Sequence, residues 1–314
     1  VIMRPRVLDC VLGALIVCHH APSGFALSTA RRSHLADGTS ETQYLFLAHH
    51  KTGTALNLKL AFDMSNVLRI PRKSVPWASV MDASNSLLGK ETGLTQTAEE
   101  QTKGEQLLNT VTSIGCTGQV MLYEDMRAPL LDQILKTCPG TRAVHLVRRP
   151  SSVLASNYAY TKDLQPGVER GADFEVAKQL RTHSLEWGVK EECSRYFGAY
   201  HTQMLEVHEM IQDNKLDNIL EVRFEDFEAN YDNTTRSIFE HLLGSDHPSI
   251  DELVKKAIKY DISRMDKGSV ASNEHISGRT EKAEVEMEMT RLLENGDSCI
   301  KKLGEADTLM GYTE

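Results

Sequence analysis

Four short apolar blocks punctuate the chain: Tyr44 to Ala48 (YLFLA), Gln119 to Tyr123 (QVMLY), Ala143 to Val147 (AVHLV) and Asn218 to Phe224 (NILEVRF). Near-continuous apolar runs of this length are the form taken by strands buried on both faces of a parallel sheet. Between them the pattern turns helical. Thr54 to Phe62 is a good helix former, Pro129 to Thr137 is a short amphipathic helix closed by Cys138-Pro139-Gly140, and Ser151 to Tyr160 follows the break at Arg148-Arg149-Pro150. Phe174 to Asn214 predicts a long helical region with Trp187, Tyr196, Phe197, Met204 and Val207 toward the core. Thr234 to Leu243 and the charged tail from Glu281 to Leu303 are also helical by pattern. Asn66 to about Glu105 is polar and rich in Ser, Thr and Gly, and predicts substrate-facing loops with short helices. Strands alternating with helices predict an α/β domain built on a parallel sheet.

The first thirty residues read differently. Arg4 and Arg6 precede an apolar run from Val7 to Cys18, and the small residues Ala21, Ser23, Gly24, Ala26 and Ser28 follow. That order is the signature of a secretory signal peptide; a first buried element of the fold is the alternative. Residues 1–30 are therefore expected to be a signal or targeting segment and 31–314 a single domain. The expected location is the secretory pathway (Golgi lumen or secreted) or an organelle, and the cytoplasm if the leader is not functional. No apolar run reaches the roughly 18 residues of a membrane span. Beyond the leader, Cys116, Cys138, Cys193 and Cys299 can pair in three ways. With no CxxC or CxxH pair, a structural zinc site is not expected. Asn233-Thr234-Thr235 is a glycosylation sequon.

Charge narrows the function classes. The chain carries 35 Lys and Arg against 44 Asp and Glu, a net charge of −9. That argues against a general nucleic-acid binder but leaves room for one basic pocket. The candidate is His50-Lys51-Thr52-Gly53-Thr54-Ala55-Leu56, lying between a strand and a helix. Unpaired N–H groups and the helix dipole make that position an anion site. Gly53 permits the tight turn, Thr52 and Thr54 bring hydroxyls, and Lys51 brings charge. The order is not GxxxxGK[ST], because no glycine precedes the lysine in the loop. The GxGxxG fingerprint of dinucleotide folds is also missing.

Lys-Thr-Gly-Thr after a hydrophobic strand resembles the 5′-phosphosulfate loop of the sulfotransferases that use 3′-phosphoadenosine 5′-phosphosulfate (PAPS). That loop commonly reads Pro-Lys-Ser/Thr-Gly-Thr; here His50 stands in place of the proline. A second segment strengthens the resemblance. The family recognises the 3′-phosphate with an Arg at a strand end and a Ser eight residues later, in the pattern Arg-Asx-Pro then Ser-x-Tyr. Here Arg148-Arg149-Pro150 is followed by Ser156-Asn157-Tyr158, with the same spacing of eight from Arg148 to Ser156. Arg148 can fork onto phosphate oxygens, and Ser156 lies two helical turns further on, facing the same pocket. Arg149 is a secondary candidate. Val222-Arg223-Phe224-Glu225-Asp226-Phe227 is similar to the family's Arg-Tyr-Glu-Asp-Leu, which makes Phe224 an adenine contact or simply a core aromatic. His275-Ile276-Ser277-Gly278-Arg279 stands where the family often has Arg-Lys-Gly, and Arg279 is the substitute.

The resemblance implies a three-layer α/β sandwich with a central parallel sheet, a P-loop-like nucleotide-binding fold. It implies transfer of a sulfuryl group from PAPS to a hydroxyl or amine acceptor, a carbohydrate or small metabolite, leaving PAP and a sulfated product. No metal is implied, and no nucleic-acid partner. Lys51 would neutralise developing charge, and the backbone from Thr52 to Leu56 would cradle the 5′-phosphate. The general base is Glu124 or Asp125, which equally suit helix caps or surface positions, with His50 as the other choice. His49 is a weaker one, and His145, inside a strand, reads as a satisfied core histidine. Two other readings remain: a P-loop nucleotide kinase, and a non-catalytic PAPS- or PAP-binding protein on the same fold. Arg148 with Ser156 has no purpose for a ligand that lacks a 3′-phosphate. The acceptor would be chosen by Asn66 to Glu105 and Lys162 to Asp173, which carry no recognisable code, and the oligomeric state is not legible.

Overall fold

The central strand β1 (Gln43–Ala48) is buried along its whole length, as its unbroken apolar block requires. The computed structural model describes residues 42–75, 109, 116, 118–163, 172–199, 201–265 and 279–312. The leader expected at 1–30, most of the polar stretch 66–105 and residues 164–171 lie outside the described residues. β1 pairs in parallel with β3 (Gln119–Glu124) on one side and β4 (Arg142–Val147) on the other. β2 (Arg72–Val75) and β5 (Ile219–Arg223) complete a parallel sheet in the order β2-β3-β1-β4-β5.

Side chains alternate across a strand, so one strand feeds two cores. Tyr44, Phe46 and Ala48 face one side, where Leu60, Ala61 and Met64 of α1 (Thr54–Leu68) meet them. Residues of α7 (Phe224–Leu243) and α8 (Ile250–Ala257) close that layer. Leu45 and Leu47 face the other side, against Leu130, Leu131 and Ile134 of α2 (Ala128–Thr137). Val207 and Ile211 of α6 (His201–Asn214) belong to the same core. The three layers are those the resemblance implied.

A further cluster holds α3 (Pro150–Asp163), α4 (Ala172–Thr182) and α5 (Leu185–Ala199) together with α9 (Arg279–Glu294) and α10 (Ser298–Leu309). Two disulfides brace the chain. Cys116–Cys138 ties the approach to β3 to the end of α2, and Cys193–Cys299 ties α5 to α10.

Several element limits depart from expectation. β2 falls in the stretch read as loops; Arg72, Lys73 and Ser74 are exposed, so this edge strand shows no apolar block. The long helical region is three helices, and the tail is two, broken at Asn295-Gly296-Asp297, where the Asp297 carboxylate accepts the N–H groups of Cys299 and Ile300. Tyr196, Met204 and Val207 are buried as expected, whereas Trp187 and Phe197 are only half-buried. Phe224 opens α7 instead of ending β5, and a non-helical Asn230 kinks that helix.

Candidate functional site

In an open parallel sheet the strand order reverses beside the first strand, and ligands bind outside the carboxyl ends there. Here that crevice lies between β1 and β4, so the turns after Ala48 and Val147 flank it. The two anion motifs occupy those two turns.

The first turn is stitched by its own side chains. Thr52 Oγ1 accepts the His49 N–H at 2.8 Å and donates to the His49 carbonyl at 2.8 Å. Thr54 Oγ1 donates to the same carbonyl at 3.0 Å. The Thr52 N–H is bonded there too, at 3.1 Å. Thr52 was expected among the cradling groups; its amide and hydroxyl instead close the turn. The first bond of α1 runs from the Asn57 N–H to the Gly53 carbonyl, so the N–H groups of Gly53, Thr54, Ala55 and Leu56 have no intrahelical acceptor. Those four are the amides available to an anion.

Gly53 has φ +105°, a conformation open to glycine. A Cβ there would lie 2.8 Å from Phe224 and 3.0 Å from Leu146. The Phe224 ring fills the notch beside the loop, and the Arg148 guanidinium stacks over that ring at 4.7 Å. Phe224 is thus half-buried between both anion motifs, which the strand-end reading only partly anticipated.

The cations converge. Arg148 Nη1 donates to the Lys51 carbonyl at 3.3 Å, while its buried Nε has no hydrogen-bond partner among the described residues. Burial, then Lys282 and Arg148, push the Lys51 ammonium down to about 7, with Glu192 opposing. The Lys51 Nζ lies over the Tyr160 ring at 3.0 Å. Burial likewise lowers Arg148. Ser156 is buried in α3, one helical turn before Tyr160. Arg149 turns the other way: its N–H donates to Glu225 and its guanidinium lies over Tyr312. Arg279 is the first residue of α9, and its side chain lies outside the described residues. Lys282, Tyr160, Asn157 and Glu192 were missed by sequence reasoning; only the i, i+4 relation of Ser156 and Tyr160 could have signalled one of them.

The candidate bases separate in the structure. Asp125 Oδ1 accepts the His50 N–H at 2.8 Å. Burial raises its carboxyl to about 6, against the pull of that bond and with help from Glu124. Its oxygen therefore anchors the loop backbone. Glu124 ends β3, half-buried. His50 Nε2 pairs with Asn157 Oδ1 at 2.8 Å. His49 and His145 meet through their Nε2 atoms at 2.9 Å, and His145 Nδ1 donates to Glu221 at 3.1 Å. Burial, with His145, holds His49 well below the ordinary histidine range. His145 is the satisfied core histidine expected, and His49 is locked to it. Among the described residues no cluster of His, Cys, Asp and Glu could hold a metal ion, and no helix is long and apolar enough to cross a membrane.

Residues 127–247 match the family model of the sulfotransferase family. The matched stretch includes the segments of Arg148, Ser156 and Phe224, and the loop of Lys51 lies before it. No curated protein matches the chain in sequence. A solved mouse sulfotransferase complexed with PAP is 15% identical, covering 85% of this chain and 90% of its own, with a TM-score of 0.43. A Mycobacterium avium sulfotransferase is 12% identical over 83% of this chain and 78% of its own, with a TM-score of 0.39. A sulfotransferase domain from a Synechococcus PCC 7002 olefin synthase is 12% identical over 80% and 95%, with a TM-score of 0.36. The fold itself is established by the sheet order, not by these distant likenesses.

Proposed function

We propose that the protein is a PAPS-dependent sulfotransferase acting on a hydroxyl or amine of a carbohydrate or small metabolite. The observation that carries this reading is the meeting of two half-buried cations, Lys51 and Arg148, at the ends of neighbouring strands. Each is made less comfortable by burial, and Lys51 is lowered further by Arg148 and Lys282. Such a site is stabilised by a bound polyanion. The buried Arg148 Nε, without a hydrogen-bond partner among the described residues, and the free amides of Gly53 to Leu56 suit a doubly phosphorylated ligand.

When bound, PAPS supplies an activated sulfuryl group, whose bond to the phosphate oxygen breaks as the acceptor oxygen or nitrogen bonds to sulfur. The chain supplies position and charge. The amides of Gly53 to Leu56 would hold the 5′-phosphate, with Lys51 beside the departing oxygen. Arg148 and Ser156 would hold the 3′-phosphate, and Phe224 would offer its ring to the adenine. Arg279 remains a candidate for the 3′-phosphate.

The same reading takes residues 31–314 as one catalytic domain behind a leader at 1–30, working in the secretory pathway. The disulfides Cys116–Cys138 and Cys193–Cys299 support that compartment, because such bonds persist in oxidising surroundings.

The test is a thermal-shift screen with PAP, PAPS and ATP–Mg, followed by incubation with PAPS and panels of carbohydrates, phenols and amines. Mass spectrometry reads the gain of one sulfo group. Stabilisation by PAP but not ATP, with a sulfated product, is the expected result. Stabilisation by ATP–Mg alone would point to a kinase, and PAP binding with no product from any acceptor to a binding protein.

A further inference from the structure

The turn that follows the last helix lies against the Arg148 side of the crevice. α10 ends at Leu309, and Gly311, at φ +73°, reverses the backbone. The Gly311 N–H bonds the Thr308 carbonyl and the Tyr312 N–H bonds the Asp307 carbonyl, each at 2.9 Å. That pair of bonds is the glycine-ended helix stop, and it fixes the residue after the glycine. Tyr312 is 7% exposed and packs with Met310, Met204 and Val147, the residue just before Arg148.

Two chain segments that carry cofactor candidates meet around the Tyr312 ring. The guanidinium groups of Arg149 and Arg223 lie over it at 5.4 Å and 4.6 Å, within cation–π range. The Tyr312 hydroxyl donates to Glu225 Oε2 at 3.0 Å, and Glu225 Oε1 accepts the Arg149 N–H at 3.2 Å. Arg223 Nη2 donates to the carbonyls of Met310 and Gly311, at 3.2 Å and 3.3 Å. Asp307 of α10 adds a second tie, accepting the Ser151 N–H at 3.0 Å and the Ser151 hydroxyl at 2.7 Å. One carboxylate, oriented by the tyrosine, thus joins the turn after β4 to the first turn of α7. Arg148 precedes the residue whose N–H it holds, and Phe224 precedes the carboxylate itself. The Arg148 guanidinium and the Phe224 ring face each other across that joint at 4.7 Å.

We infer that Tyr312 and Glu225 are positioning residues for the 3′-phosphate half of the cofactor site, holding the backbone beside Arg148 so that its guanidinium stays where that phosphate is read. This rests on the sulfotransferase reading and deepens it. It gives the turn after α10 a share in telling PAP from nucleotides without a 3′-phosphate. Tyr312 and Glu225 act through Arg148. Phe224 has a second support, because its ring also packs beside Gly53.

The deciding experiment is calorimetry on the full chain with PAP and with 5′-AMP, which differ only in the 3′-phosphate. The wild type is expected to prefer PAP. Tyr312→Phe keeps the ring beneath both guanidinium groups and removes the bond to Glu225. It should weaken PAP about 3–10-fold and leave AMP within about twofold. Tyr312→Leu removes the ring as well and should weaken PAP further. Glu225 separates geometry from charge, since its carboxylate is one of the negative groups acting on Arg148. Charge alone predicts that Glu225→Gln and Glu225→Ala both tighten PAP. Glu225→Gln keeps an acceptor for the Arg149 N–H and an amide that can donate to the Tyr312 oxygen, so it should hold or tighten PAP. Glu225→Ala should weaken it, and Tyr312→Phe should then cost little more, because the two act through one bond.

A PAP-to-AMP ratio unchanged by Tyr312→Phe overturns the inference. So does equal weakening of both ligands, which is what a merely structural role predicts, or a Glu225→Ala chain that binds PAP as tightly as Glu225→Gln. If Tyr312→Leu does not fold, Tyr312→Phe and the Glu225 pair carry the test. The wild-type arm tests the sulfotransferase reading separately. A wild-type chain with no preference for PAP overturns that reading, and the inference with it, whatever the substitutions do.

Discussion

Gly53→Ala is the sharpest perturbation available, because one methyl group meets two separate obstacles. The backbone at φ +105° disfavours any L side chain, a penalty of roughly 1–2 kcal/mol. The new Cβ would also sit 2.8 Å and 3.1 Å from Phe224 ring atoms and 3.0 Å from Leu146. Forcing a methyl into such a packed notch costs about 1–3 kcal/mol. Both neighbours are restrained, since Leu146 is a buried strand residue and the Arg148 guanidinium lies over the Phe224 ring. The sum is about 2–5 kcal/mol of lost stability, read by urea denaturation at constant slope. PAP affinity should fall with it, because the loop amides shift. A double-mutant cycle separates the two obstacles. In a Phe224→Ala background the ring contact is gone, and Gly53→Ala should cost at least about 1 kcal/mol less. Equal costs in both backgrounds, or a Gly53→Ala protein as stable as the parent, would refute the idea that Phe224 packs the loop into shape.

Three further outcomes are expected. The Lys51 ammonium, held at about 7 in the fold against an ordinary 10.5, leaves the unfolded state with more bound protons between those values. Stability should therefore rise with pH across that window. PAP binding at pH 8 should take up a proton, seen by calorimetry in buffers of different ionisation heat and abolished in Lys51→Met. Asp125→Asn retains an oxygen for the His50 N–H and removes a buried carboxylate whose charging is delayed to about 6. Its kcat should stay within about threefold of the parent. Relative to the parent it should gain stability as pH rises from about 4 to 6, and a collapse of kcat would mark Asp125 as the base. Cys193–Cys299 closes a sequence separation of 106, so Cys299→Ser should lower the melting temperature by about 5–15 °C. An unchanged melt would show that the bond contributes little to stability.

The fold was legible wherever burial on both faces left an apolar block, as in β1, β3 and β4. It was not legible at β2, whose Arg72, Lys73 and Ser74 face solvent on the sheet edge. Helix breaks within 174–214 were hidden because no Pro or Gly marks both of them. α8 carries its apolar residues Ile250, Leu253 and Ala257 among charges, a pattern too short to stand out. The anion motifs could be located because they sit at strand ends with fixed spacing. What the sequence could not show was the fate of each polar group: that Thr52 closes its own turn, or that Asp125 holds the His50 backbone. Those assignments depend on contacts such as Asn157 with Glu192, 35 positions apart, for which the sequence has no local signal.

The parallel sheet has a consequence for how the protein is made. β1 lies at its centre, yet both of its hydrogen-bonded neighbours come later in the chain. His49, the residue after its end, meets His145 only 96 positions on, and Lys51 meets Arg148 after 97. During synthesis the most apolar strand therefore emerges early and waits unpaired, a situation that slows folding and invites association with other chains. Cys193 waits longer still, since Cys299 follows by 106 positions. Productive expression will therefore be limited by the interval between the emergence of β1 and the closing of that last bond, and helped most by whatever shields the strand and supplies oxidant during it.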